Sequence, residues 1–151
     1  IKALSINHLT VTVNAIDPLI GASIYQWIYK DGKRYTGKDG AAILSEQQIK
    51  GIRMAVDAGI FVKINTVVIP GINDHHIKDI SFFMAEQNCF VHNIVPMIPR
   101  GLFKNMKKPG HDLMQGIRLS SESVIPVFSK CRQCRADAEG IPGKEGCCDN
   151  N

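Results

Sequence analysis

The chain is sparing with cysteine, tryptophan and long apolar runs. Its 151 residues hold five cysteines, one tryptophan and three tyrosines, with a net charge of only +4. No apolar run approaches the ~20 residues of a membrane-spanning helix, and no signal peptide is visible. An odd cysteine count without the spacing of a small secreted scaffold argues against a disulfide framework. A reducing, cytoplasmic setting with metal ligation fits those thiols better. The positive charge is scattered. Its densest stretch, Arg100 to Lys108, carries four cations with Phe103 as the lone aromatic, the pattern of a solvated loop and not of a nucleic-acid surface. Neither a membrane nor a nucleic acid is an expected partner.

What remains is an ordinary globular composition, 44% hydrophobic and 21% charged, enough for one domain with a core. The first residue is Ile1, not Met, and Ile1 to Ile6 reads as the tail of a helix and its exit turn. The expectation is a piece of a longer protein.

Leu9, Val11 and Val13 alternate with Thr10, Thr12 and Asn14, the period of a strand. A second strand is predicted over Ile60 to Ile69. It places Val62, Ile64, Thr66 and Val68 on one face and Lys63, Asn65, Val67 and Ile69 on the other. A third runs from Phe90 to Val95 and stops at Pro96. Helical patterns lie between them. Ser45 and Gln48 match a capping box ahead of an apolar face of Ile49, Ile52 and Val56, with Gly59 as the stop. Asp74 is placed to cap a helix that buries Ile77, Ile80 and Met84, and a last helix is expected over Ser121 to Lys130 despite Pro126. Tyr25, Trp27 and Tyr29 read as packing for the long crossover between the first two strands. Cys89 reads as a small buried hydrophobe, His92 as a hydrogen-bonded structural residue, and His75 and His76 as solvent-facing.

Alternating strands and helices imply an α/β fold with a parallel sheet and flanking helices. Buried parallel strands are usually apolar throughout, yet Thr10, Thr12, Asn14, Lys63 and Asn65 interrupt these. Either a curved sheet lines a polar cavity, or an edge strand turns a polar face to water.

Cys131-Arg132-Gln133-Cys134 sets two thiols where both can turn to one metal, with guanidinium groups that favour thiolates. The pair suits an iron–sulfur cluster. A structural zinc site completed by Cys147 and Cys148 is the alternative, although adjacent cysteines diverge in direction.

A series of strings runs in order along the chain: Thr10-Val11-Thr12-Val13-Asn14-Ala15-Ile16-Asp17-Pro18, Ile24-Tyr25, Tyr35-Thr36-Gly37, Lys63-Ile64-Asn65, Ile69-Pro70-Gly71-Ile72-Asn73-Asp74, His92-Asn93, Pro96, and Cys131 to Ala138. Together they resemble the C-terminal half of the radical S-adenosylmethionine (SAM) domain of NifB-like nitrogenase cofactor maturases. The resemblance implies the C-terminal half of a partial (βα)6 barrel over residues 1–140, with 141–151 a flexible tail. It implies a [4Fe-4S] cluster and SAM at the C-terminal strand ends, reductive cleavage of SAM to a 5′-deoxyadenosyl radical, and lyase-type chemistry. By the same resemblance, two further [4Fe-4S] units are expected to be fused with a SAM-derived carbide into the eight-iron nitrogenase cofactor precursor.

Carried onto this chain, the resemblance makes Cys131 and Cys134 ligands of a substrate [4Fe-4S] cluster. It makes Thr12, Asn14, Asn65 and Val67 the SAM wall, the polar three bonding ribose or carboxylate and Val67 packing on adenine. Implied partners are a cluster-donor scaffold, an electron donor such as ferredoxin or flavodoxin, and a downstream carrier of the nitrogenase cofactor. The family's C-x3-C-x2-C motif does not occur in these residues. The expectation is that it lies upstream and that this stretch alone is inactive. Another radical SAM enzyme with an auxiliary cluster, or a non-enzymatic zinc-binding α/β module, are the competing readings.

Overall fold

The structure, a computed structural model, describes residues 6–128. In chain order it comprises β1 (His8–Thr12), α1 (Pro18–Ile24), β2 (Trp27–Lys30), β3 (Lys33–Thr36), α2 (Gly37–Asp57), β4 (Phe61–Val68), α3 (Ile77–Glu86), β5 (Val91–Pro96) and α4 (His111–Glu122). A three-stranded parallel sheet has the order β1-β4-β5, and β2 and β3 form a separate antiparallel hairpin.

The period-two pattern of β4 decides the layering. Val62, Ile64, Thr66 and Val68 are all buried on the helix side, while Lys63, Asn65 and Val67 are half-buried on the other. The helix-side face meets Ile52 of α2 and Ile80 and Met84 of α3 in one apolar cluster, which also takes in Val13 and Cys89. A second cluster joins Val68 and Ile94 to Ile77 of α3 and to Met114 and Ile117 of α4. Each such side chain contributes roughly 1.5–3 kcal/mol on burial. Cys89 behaves as the small hydrophobe expected, its thiol pushed up by burial to about 11.

Several expectations are corrected. The helix before β4 does not start at Ser45. It begins at Gly37, directly after β3, and Ser45 is buried within it. Gly40 sits in its first turn for contact: a Cβ would come within 2.9 Å of the Tyr35 carbonyl oxygen. Gly59, at φ 77, does end that helix region as expected. Asp74 opens a short 3-10 turn and accepts from the Gly71 N–H at 3.0 Å, so it caps no helix.

The last helix ends at Glu122 and does not run on to Lys130. Pro126 cannot continue a helix. Instead the His92 N–H donates to the Pro126 carbonyl and the Phe128 N–H to the His92 carbonyl, each at 2.9 Å, so Val127 pairs in parallel with β5. Trp27 and Tyr29 do not pack into a crossover but lie exposed on the hairpin. The Asp31-Gly32 turn builds that hairpin, with φ values of 50 and 76. His75 is exposed as expected; His76 is buried.

Candidate functional site

Register across the sheet assembles the site from single residues. Thr12 pairs with Asn65 and Asn65 with Asn93, giving a polar row that starts at the C-terminal end of β1 and crosses β4 and β5 near their middles. Lys63 lies in the row below, between Thr10 and Val91, and Val67 lies beside Val95 in the row above. All of these turn away from the helices, because alternate residues of a strand face opposite sides. Lys63 and Asn65 sit on the central strand, so an exposed sheet edge does not explain their polarity.

Asn93 gives this row its most pointed feature. Its Nδ2 donates to Asn65 Oδ1 at 3.0 Å, yet the residue is only 2% exposed and its own Oδ1 has no hydrogen-bond partner among the described residues. An unpaired buried acceptor costs roughly 1–3 kcal/mol and calls for an explanation. The face beside it offers a hydroxyl, two amides, an ammonium and the valines 67 and 95. That set suits a ligand with hydroxyl or carboxylate oxygens and a flat apolar part. It contains no paired carboxylates or histidines for acid–base chemistry.

Beside the row, the loop after β1 is fixed by residues far along the chain. The Val67 N–H donates to Asn14 Oδ1 at 2.9 Å, and Asn73 Nδ2 donates to the carbonyls of Asn14 and Val67, each at 2.9 Å. Thr66 Oγ1 donates to the Val13 carbonyl and Gln48 Nε2 to the Thr12 carbonyl, both at 2.6 Å. His76 Nε2 accepts from the N–H groups of Ile16 at 3.2 Å and Asp17 at 3.4 Å, while its Nδ1 faces Asp79 at 3.2 Å. The Tyr25 hydroxyl bonds to the backbone and side chain of Asn14. Burial raises its pKa, partly offset by those two bonds.

The structure therefore separates the four residues expected to bind a cofactor. Thr12, Asn65 and Val67 lie on the open face of the sheet. Asn14 has its side chain engaged by Val67 and Tyr25, and it holds the loop's shape. Lys63 does not project freely: its Nζ stands 4.7 Å from the centre of the Phe128 ring. His92 is structural, as read from sequence, and bonds to Ser81 and Thr66. Asn93, Asn73 and His76 acquire site or scaffold roles that their positions alone do not reveal. The first needs strand register, and the other two need a loop contact about 60 residues away.

Cys131, Cys134, Cys147 and Cys148 lie outside the described residues, as does the predicted tail. Among the described residues, no group of three or more His, Cys, Asp or Glu side chains could hold a metal ion. Nor is any helix among them long and apolar enough to cross a membrane. A groove of about 580 Å³ runs along the outer side of α2 past Glu46, Lys50 and Arg53. It is an open furrow on the helix layer, remote from the polar row.

Over nearly its whole length the chain is similar to proteins named FeMo cofactor biosynthesis protein NifB. It is 43% identical over 138 residues to the one from Methanocaldococcus infernus, covering 91% of this chain and 45% of that relative. It is 39% identical over 152 residues to the one from Herbaspirillum seropedicae, covering 96% and 29% respectively. With the Rhizobium leguminosarum bv. trifolii protein it shares 37% identity over 148 residues, 94% of this chain and 30% of the relative. The chain thus spans less than half the length of these curated relatives. No protein-family model matches it.

Proposed function

Because the chain belongs to the NifB family, we propose that it forms the C-terminal half of a partial (βα)6 radical SAM barrel and supplies one wall of its SAM site. The whole protein is a lyase-type maturase of the nitrogenase cofactor. It fuses two substrate [4Fe-4S] clusters with insertion of a SAM-derived carbide, and Cys131 and Cys134 hold one of those substrate clusters. The observation that carries this reading is the Thr12–Asn65–Asn93 row with its unpaired, buried Asn93 Oδ1.

The residues present fit SAM. Hydroxyl and amide groups at Thr12 and Asn65 match ribose or carboxylate oxygens, and Val67 offers an apolar surface to the adenine. Asn14 contributes through the backbone it fixes at Val67. When bound, SAM supplies both the radical initiator and the inserted carbon. This chain's own residues orient it and shield it from water. A soluble cytoplasmic enzyme of this kind takes clusters from a donor scaffold and electrons from a ferredoxin or flavodoxin, and it passes its product to a cofactor carrier.

Equilibrium dialysis of SAM against the intact protein tests the wall. Asn65→Ala and Thr12→Val should each weaken binding about tenfold, the loss of one good hydrogen bond. Unchanged affinity in both would overturn the assignment. Substituting Cys131 and Cys134 together by Ala should remove about four irons with SAM binding retained. Loss of zinc in place of iron would move that pair to a structural site.

A further inference from the structure

The hairpin of β2 and β3 has a face that the proposed activity does not use. Cross-strand pairing sets Trp27 opposite Thr36 and Tyr29 opposite Arg34, so Trp27, Tyr29 and Arg34 share one side. That side points outward. Trp27, the chain's one tryptophan, is 49% exposed and Tyr29 67% exposed. The Arg34 guanidinium lies 5.0 Å from the centre of the Trp27 ring. The reverse side carries the half-buried Ile28 and Tyr35, seated on α2 where Gly40 permits close approach. The platform is therefore rigid, although a two-stranded hairpin alone is marginal.

Its location is fixed by two contacts. Gln48 of α2 bonds to Thr12 at the C-terminal end of β1, and α2 leads down to the start of β4. The α2 residues before Gln48 therefore rise about 16 Å beyond the C-terminal edge of β1, at 1.5 Å per residue, and the hairpin stands at their top. Tyr25, just ahead of the hairpin, bonds to Asn14 beside the polar row. The platform therefore stands beyond the C-terminal edge of β1, on the α2 side, close in sequence to the Tyr25–Asn14 contact.

Its chemistry is that of a protein-binding hot spot, in which Trp, Tyr and Arg are the enriched residues. The surroundings are cationic: Lys30, Lys33, Arg34 and Lys38 against Asp31 and Asp39. None of those four cations has an ion pair among the described residues. We infer that the Trp27–Tyr29–Arg34 face is the docking surface for a small acidic protein, the electron carrier of the proposed function. The positive charge complements an acidic surface and speeds encounter, and the aromatic pair supplies the desolvated centre. The carrier's identity rests on that proposed function; the docking face rests on the hairpin alone.

The test is titration calorimetry of the intact protein with a purified flavodoxin and a purified ferredoxin. SAM dialysis and thermal melts of the same samples accompany it. Trp27→Ala and Arg34→Glu should each weaken carrier binding at least about tenfold, and Trp27→Phe should retain most of it. Wild-type affinity should fall as salt rises, with SAM binding and melting temperature unchanged in the variants. Binding of neither carrier by the wild type, or equal binding by the variants, overturns the inference and leaves the SAM reading standing if dialysis still succeeds. A lowered melting temperature in Trp27→Ala shows instead that the face packs within the same protein. Binding of a single-stranded oligonucleotide that both variants abolish assigns the face to nucleic acid. Loss of SAM binding with carrier binding intact removes the proposed SAM wall and leaves the docking face.

Discussion

His92 Nε2 lies 2.7 Å from Thr66 Oγ1, and the Thr66 hydroxyl donates its own proton to the Val13 carbonyl. The direction of the first bond follows from the second. Thr66 keeps its proton in that short bond, so Nε2 is the donor; Nδ1 of the neutral ring then accepts from the Ser81 hydroxyl at 2.8 Å, which shares its one proton with the Ile77 carbonyl at 3.0 Å. The ring is the neutral Nε2–H tautomer, and burial lowers its pKa to about 4. One side chain of β5 thereby links α3, β4 and the end of β1.

That neutral ring predicts acid sensitivity. Between its ordinary pKa of about 6.5 and the folded value, the unfolded chain takes the proton and the folded one does not. Stability from this residue is complete above pH 6.5 and is lost as pH falls toward 4. The loss is on the order of 3 kcal/mol. Urea midpoints from pH 7.5 to 4 should show the slope in the wild type, and His92→Gln, less stable at neutral pH, should lose most of it. Equal slopes in the two proteins would assign the effect to other groups.

Asn73 predicts a large loss from one small change. Its side chain accepts from the Ile69 N–H at 2.7 Å and donates to the Asn14 and Val67 carbonyls. Asn73→Ala leaves those groups unpaired in the interior and should cost about 2–4 kcal/mol. Asn73→Asp should do no better, since it sets a carboxylate oxygen against two carbonyls. Chemical denaturation of the three proteins checks both statements.

Asn93 predicts a trade between stability and binding. Asn93→Leu is of similar size; it removes an acceptor with no partner among the described residues, together with the donor to the half-buried Asn65 Oδ1. It should lower stability by no more than about 1 kcal/mol while weakening SAM binding about tenfold. A large stability loss with unchanged SAM affinity would make Asn93 a purely structural residue.

Two glycines of α2 should respond with opposite signs. A Cβ on Gly51 meets nothing within 4 Å, so Gly51→Ala gains helix propensity, about 0.5–1 kcal/mol. A Cβ on Gly40 would press on the Tyr35 backbone, so Gly40→Ala should cost about 1–3 kcal/mol and loosen the hairpin. Melting temperatures of the pair decide it, with Trp27 fluorescence reporting on the hairpin.

The sheet and its buried face were legible from sequence because period-two alternation survives tertiary packing. Val62, Ile64, Thr66 and Val68 are buried as a set, and so are Ile77, Ile80 and Met84 on α3. The hairpin escaped because its strands are four residues each and carry three cations, which mask the alternation. The Asp31-Gly32 pair was the available signal. The capping pattern at Ser45 misled because a local motif says nothing of the glycines before it, whose role is contact with a neighbouring strand. Site residues on β4 were readable from parity alone. Asn93 became one only through its pairing with Asn65, which depends on which strands adjoin.

The loop after β1 is closed by Thr66, Val67, Asn73 and His76, groups 53 to 60 positions away. Joining segments so far apart costs chain entropy, which their contacts must offset. The rim of the candidate site is thus complete only when those distant segments have joined, and a partly folded chain presents no finished rim to a ligand. Ligand binding at this loop therefore reports that the long-range part of folding is complete.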